Sequence, residues 1–171
     1  MKKIKSILLI ATVIIASLSM NSCSSNDDGL NEMSENELFL NFTLNDEETK
    51  IVGDFEVISV FSGDNFMYLS INGNNGLQIN DPDYIRLSLI IPNKNVAPGT
   101  YSFSGDVFTP DLYHCRLIVD GTTIQSLNSG NLIVTSNTGG IIEGTFSGTA
   151  TLNNEVYTIT NGSFKAISND N

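Results

Sequence analysis

From Leu38 onward apolar residues recur at every second position, and that period limits what the chain can become. In "LYHCRLIV" (112–119) Tyr113, Cys115, Leu117 and Val119 alternate with His114 and Arg116. In "YIRLSLII" (84–91) Ile85, Leu87, Leu89 and Ile91 share one face, with Arg86 and Ser88 on the other. "MYLSI" (67–71) places Met67, Leu69 and Ile71 together. Because side chains point alternately to the two faces of a strand, this pattern predicts half-buried antiparallel strands. No stretch of the mature chain carries a helical period.

Turn-forming residues separate the runs: Asn72-Gly73, Asn75-Gly76, "DPD" at 81–83, Pro98-Gly99, Asp120-Gly121, Gly139-Gly140 and Asn161-Gly162. Asp120-Gly121 suits a type I′ hairpin, in which both central residues need positive φ. Pro98-Gly99 suits a type II turn. Eight to ten short strands are expected, forming an all-β antiparallel β-sandwich over residues 37–168, with a small closed, lipocalin-like β-barrel as the alternative. Phe-Ser-Gly occurs at 61–63, 103–105 and 146–148. The residues that follow do not align, so each copy reads as a core aromatic meeting a turn rather than as an internal repeat.

The first 22 residues are of another kind. Lys2, Lys3 and Lys5 make a positive tip, and residues 6–20 hold no charge and are strongly apolar. This is the anatomy of a signal peptide. A membrane span needs about 20 apolar residues, so a permanent helical anchor is the weaker reading. Cys23 sits where the apolar run gives way to polar residues. From there to residue 36 acids prevail without a base, a composition that predicts a flexible tether rather than a packed element.

Removing residues 1–22 takes away three of the eight basic residues and no acid, leaving 149 residues with five Lys and Arg against 19 Asp and Glu. One domain is expected. Nucleic acid is not expected as a partner, because phosphate binding needs a concentrated basic surface. With two cysteines in all, a disulfide framework is not what holds the fold.

The stretch "SMNSCSSNDD" resembles a bacterial lipoprotein signal, with Cys23 as the lipidated residue. The Ser- and acid-rich "CSSNDD" is similar to the export signal that sends Bacteroidetes lipoproteins to the outer face of the outer membrane, with Asp27 and Asp28 as its acids. Further on, "APGTYSF", "GTFSGTA" and "VYTITNGSF" resemble the Pro-Gly-Thr-Tyr, Gly-Thr-Phe and Thr-x-Gly-x-Phe motifs of a family of small Bacteroidetes lipoproteins. The match covers roughly residues 95–167. It implies an antiparallel β-fold, an N-terminal lipid in the membrane and a cell-envelope location, and it carries no known activity. The competing reading of Cys23 is a plain secreted protein in which it is incidental or pairs with Cys115. A thioether-linked Cys23 leaves Cys115 unpaired.

Catalytic patterns are scarce. The single histidine, His114, points away from Cys115 on the same strand, so the two cannot act as a dyad, and it reads as a solvated residue beside Arg116. Zinc is not expected with one histidine and one buried thiol. Asn80, Asp81 and Asp83, and less so Asp64 and Asn65, are oxygen-rich enough to be weak calcium candidates, although turns call for the same residue types. No cofactor is expected and no enzyme is expected. The leading expectation is a non-catalytic lipoprotein of the outer membrane, at the cell surface, binding a protein or glycan through the sandwich loops; the periplasmic face is the alternative location. A barrel carrier of a small apolar ligand is the second reading. An enzyme of unrecognised type, with a pocket gathering Asp81, Asp83, Asp106 or His114, is the third. Cells grown with labelled palmitate are expected to label this protein, and Cys23→Ala is expected to abolish the label; an unlabelled native chain overturns the lipoprotein reading.

Overall fold

The computed structural model describes residues 38–51, 53–62, 65–105, 109 and 111–168, with the side chains of 53–67 outside that description. The signal segment, Cys23, the acidic tether, Asp64 and Asp106 lie outside the described residues, and of Asn65 and Met67 only the backbone is described. There are eleven strands among the described residues and no helix: β1 (Phe39–Leu44), β2 (Glu47–Lys50), β3 (Gly53–Ser62), β4 (Asn65–Asn74), β5 (Ile85–Ile91), β6 (Gly99–Ser102), β7 (His114–Val119), β8 (Thr122–Ile124), β9 (Ser129–Thr138), β10 (Ile141–Leu152) and β11 (Glu155–Ile167).

They form two open antiparallel sheets. One has six strands in the order β2-β1-β11-β10-β9-β6, the other five in the order β3-β4-β5-β7-β8. Neither closes on itself, so the protein is a β-sandwich and the lipocalin-like barrel is not formed. The physical reason lies in the connections: the chain changes sheet after β2, β5, β6 and β8, and the edge strands β2, β6 and β8 are only three or four residues long.

The predicted alternation is the core. Leu69 and Ile71 from β4, Leu87, Leu89 and Ile91 from β5, and Cys115, Leu117 and Val119 from β7 pack with Leu40, Phe42, Leu132, Val134, Ile142, Phe146, Ile159 and Phe164 of the other sheet in one cluster. Burying a side chain of this size contributes about 1.5–3 kcal/mol, so the core suffices without a crosslink.

Four hairpins turn on pairs of residues with positive φ: Asn45-Asp46, Asp120-Gly121, Gly139-Gly140 and Asn153-Asn154. Asp120-Gly121 meets the type I′ expectation, since φ is 49° and 69° there. Three other expected turns are different. Asn72-Gly73 lies inside β4. Gly99 opens β6 without a positive φ, so Pro98-Gly99 makes no type II turn. Asn161-Gly162 lies in the middle of β11, the longest strand. There Phe146 pairs with Gly162 and Gly148 with Ile159, so the extra residue of β11 is absorbed as a bulge, with Asn161 at φ 52°.

That bulge serves the core. Phe146 lies across from Gly162, and Phe164 lies across from Gly144, so each ring lies over a glycine on the facing strand. Phe42 and Phe164 approach Phe146 as tilted pairs at 6.2 and 6.4 Å between ring centroids. The Phe-Ser-Gly copies accordingly differ in setting: Phe103 is buried just after β6, ahead of a loop, whereas Phe146 is buried mid-strand and meets no turn. A Cβ at Gly162 would stand 2.4 Å from the Phe146 carbonyl oxygen and 2.7 Å from its ring. Gly162→Ala is therefore expected to destabilise the domain by about 1–3 kcal/mol through overpacking, read as a lower urea midpoint; an unchanged midpoint shows that the bulge yields freely.

Candidate functional site

The outer faces of the two sheets are unlike. On the six-stranded sheet, β9 alternates regularly, with Leu132 and Val134 buried and Asn131, Ile133 and Thr135 exposed. The five-stranded sheet also turns polar residues outward, but several are covered: Ser70, Asn72 and Ser88 are only 5–8% exposed.

Register explains which residues meet there. Ser70 of β4 pairs with Ile90 of β5, which pairs with His114 of β7. In the next row Asn72 pairs with Ser88 and Ser88 with Arg116. In the third, Asn74 pairs with Arg86 and Arg86 with Ile118. Directly paired residues share a face, and diagonal neighbours lie about 7–8 Å apart. Arg86 and Arg116 are such diagonal neighbours, and they are the only arginines in the chain.

Ser70, Asn72, Arg86, Ser88 and Arg116 line a groove of about 350 Å³, to which Tyr68 of β4, Ile90, Ile118 and Gln125 also contribute. The short Ser70, Asn72 and Ser88 are nearly buried, whereas the longer Tyr68, Arg86 and Arg116 are half-buried and Gln125 is exposed. Ser70 Oγ donates to Asn72 Oδ1 at 3.1 Å, and Asn72 Nδ2 donates back to the Ser70 carbonyl at 3.3 Å. Among the described residues neither arginine forms an ion pair; Lys165 and Glu143, 3.1 Å apart on the other sheet, do. Arg116 Nε is buried and has no hydrogen-bond partner among the described residues. A buried donor left without a partner costs on the order of 1–3 kcal/mol, more when charged.

The sequence marked Arg86, Ser88 and Arg116 as outward residues, but it held no signal that they would be brought together. Strand order and register decide that, and both are long-range properties.

His114 corrects the sequence reading. It points away from Cys115 as expected, yet it is wholly buried rather than solvated. Its Nδ1 lies 3.2 Å from Ser126 Oγ, and its Nε2 lies 3.0 Å from the Thr109 carbonyl oxygen and 3.2 Å from the Thr109 amide nitrogen. Ser126 donates its own proton to the Ser104 carbonyl, so Nδ1 is the donor to Ser126. The ring thus fastens the segments after β6 and β8 to β7. A serine whose proton is committed to a backbone carbonyl, next to a buried imidazole, is a clip and not an activated nucleophile.

The turn candidates bond locally. Asp81 Oδ2 accepts from the Gln78 amide at 2.8 Å, and Asn75 Nδ2 donates to the Asp83 carbonyl at 2.7 Å. Asp81 thereby caps its own turn, and Asn75 ties Asp83 back to the end of β4. No group of three His, Cys, Asp or Glu side chains suited to a metal occurs among the described residues. Among the described residues there is no helix long and apolar enough to cross a membrane, which bears on helices alone.

Comparison with protein-family models, with curated proteins and with solved structures gives no match.

One buried group and one half-buried group ionise late. Burial pushes the Cys115 thiol up, and it is free. Tyr113 is pushed up to about 12, first by desolvation and then by Tyr101, on which it stacks at 4.4 Å. The native state keeps the Cys115 proton at pH values where an unfolded thiol, with a pKa of about 8.5, gives it up. Stability from this source is full below that pH and is lost as pH rises above it. Urea midpoints are expected to fall between pH 7.5 and 9.5, and less steeply in Cys115→Ala; equal falls in both chains count against a buried, protonated thiol.

Proposed function

We propose that this chain is a non-catalytic lipoprotein of the cell envelope, anchored at Cys23 in the outer membrane and displayed at the cell surface, which binds a protein or glycan partner on the outer face of its five-stranded sheet. The anchor rests on the N-terminal sequence: the positive tip, the apolar run and a cysteine at its polar end. The acidic stretch after Cys23 has the composition of a flexible spacer. Binding rests on one observation, the groove that gathers both arginines of the chain, with the Arg116 Nε buried and without a hydrogen-bond partner among the described residues. Sequence reasoning put the contact on the loops; the groove favours the sheet face.

The rival readings have less behind them. A carrier needs a lumen, but the side chains between the sheets pack as one core. An enzyme built around His114 would need an accessible base, but that ring is buried between Thr109 and Ser126.

Protease added to intact cells is expected to degrade the domain; protection until lysis overturns surface display. On an array of glycans and peptides, the protein is expected to retain partners that Ser88→Trp, which fills the groove floor, loses without a change in melting temperature. Loss on altering the 78–83 turn instead would return the contact to the loops.

A further inference from the structure

We infer that the groove recognises an acidic oligosaccharide, with Arg86 and Arg116 holding the carboxylate or sulfate groups on its sugar rings. The inference rests on the proposed binding role of that face and specifies its ligand.

Charge is the first argument. The mature chain has five basic residues against 19 acids, and its two arginines are diagonal neighbours on adjacent strands. Packing like charges together costs stability, and among the described residues nothing offsets it: neither guanidinium is in an ion pair there, and Arg116 Nε is buried with no hydrogen-bond partner among them. No carboxylate occurs among the described residues that line the groove. A local rule broken without compensation marks a functional position. The planar guanidinium fork matches the two oxygens of a carboxylate or sulfate, and such charge-assisted bonds are about twice as strong as neutral ones. An anionic ligand approaching so acidic a protein is repelled elsewhere on its surface, so the arginine pair also sets where it lands.

The rest of the lining argues for a sugar over an acidic peptide. Asn72, Ser88 and Gln125 supply neutral donors and acceptors of the kind that pair with hydroxyl groups. Tyr68 and Ile118 supply apolar surface for the C–H face of a pyranose ring, and the tyrosine keeps a polar edge. A groove of about 350 Å³ is at the small end of ligand sites, which fits one or two sugar units of a longer chain. By contrast, the concavity on the six-stranded sheet, around Asn131, Ile133, Thr145 and Ser163, holds no charged group and gives an anion nothing to pair with.

The test is calorimetric titration of the full-length chain in detergent with four probes: an oligogalacturonate, a sulfated oligosaccharide, a neutral galactan fragment and a poly-glutamate peptide. At least one acidic oligosaccharide is expected to bind, more weakly as salt is raised. Arg86→Gln and Arg116→Gln should each weaken it about tenfold or more, Arg86→Lys by less, and Lys50→Gln on the exposed edge strand not at all. Unfolding midpoints of the variants check that each is folded. The uronate and sulfate probes decide which oxyanion is held. Equal binding of the neutral galactan, indifferent to the arginines, overturns the acidic assignment and leaves the groove as a site if Ser88→Trp still abolishes it. Tighter, arginine-dependent binding of poly-glutamate overturns the sugar in favour of an acidic peptide. Binding of none of the four overturns the inference, while the array result with Ser88→Trp still judges the binding role by itself.

Discussion

Everything in this domain depends on burial between two sheets that each keep one apolar face. Period-two patterning puts Leu87, Leu89 and Ile91 on the same side of β5, and the same rule in β1, β4, β7, β9, β10 and β11 makes one continuous interior. A one-residue slip of any of these strands would turn its core residues to solvent. Register is therefore strongly specified, and with it the outer faces are fixed as well. The arginine pair follows from this: Arg86 and Arg116 stand together because Leu87 pairs with Leu117 and Leu89 with Cys115 on the inner side.

The sandwich keeps its interior dense through pairs of rings and glycines. Phe146 over Gly162 and Phe164 over Gly144 place two large side chains where a β-carbon on the opposite strand would collide. The bulge at Asn161 adjusts β11 so that this fit and the pairing with β1 hold together; the register of β1 shifts at the same place, between Asn41 and Thr43. Local irregularity here is a condition of good packing. Asn137 does similar work at the rim, donating to the carbonyls of Lys94 and Val96 and accepting from Ser168, so that the connection before β6 and the end of β11 share one amide.

Alternation made the strands and the inner faces legible in the sequence, because one residue and its neighbours two positions away suffice to read them. Asp120-Gly121 was legible for a similar reason: the turn needs two positive φ values, and those two residues accept them readily. Asn161-Gly162 was not, since the same dipeptide serves a bulge as well as a turn, and only the partner strand decides between them. The burial of His114 depends on segments carrying Thr109 and Ser126, at five and twelve positions' distance, folding over its face. Arg86 and Arg116 were legible as outward residues one by one. Their adjacency was not, because thirty positions of sequence and one intervening crossover to the other sheet and back lie between them.

The first strand has a mechanical meaning. β1 lies between β2 and β11, with Phe39 beside Lys165 at its start and Leu44 beside both Ile159 and Glu47 at its end. A pull entering the domain at Phe39 and directed along the strand strains two ladders of hydrogen bonds simultaneously, where an edge strand would offer one that opens rung by rung. The first strand of the domain is thus harder to peel away than β2 beside it, which has one ladder alone.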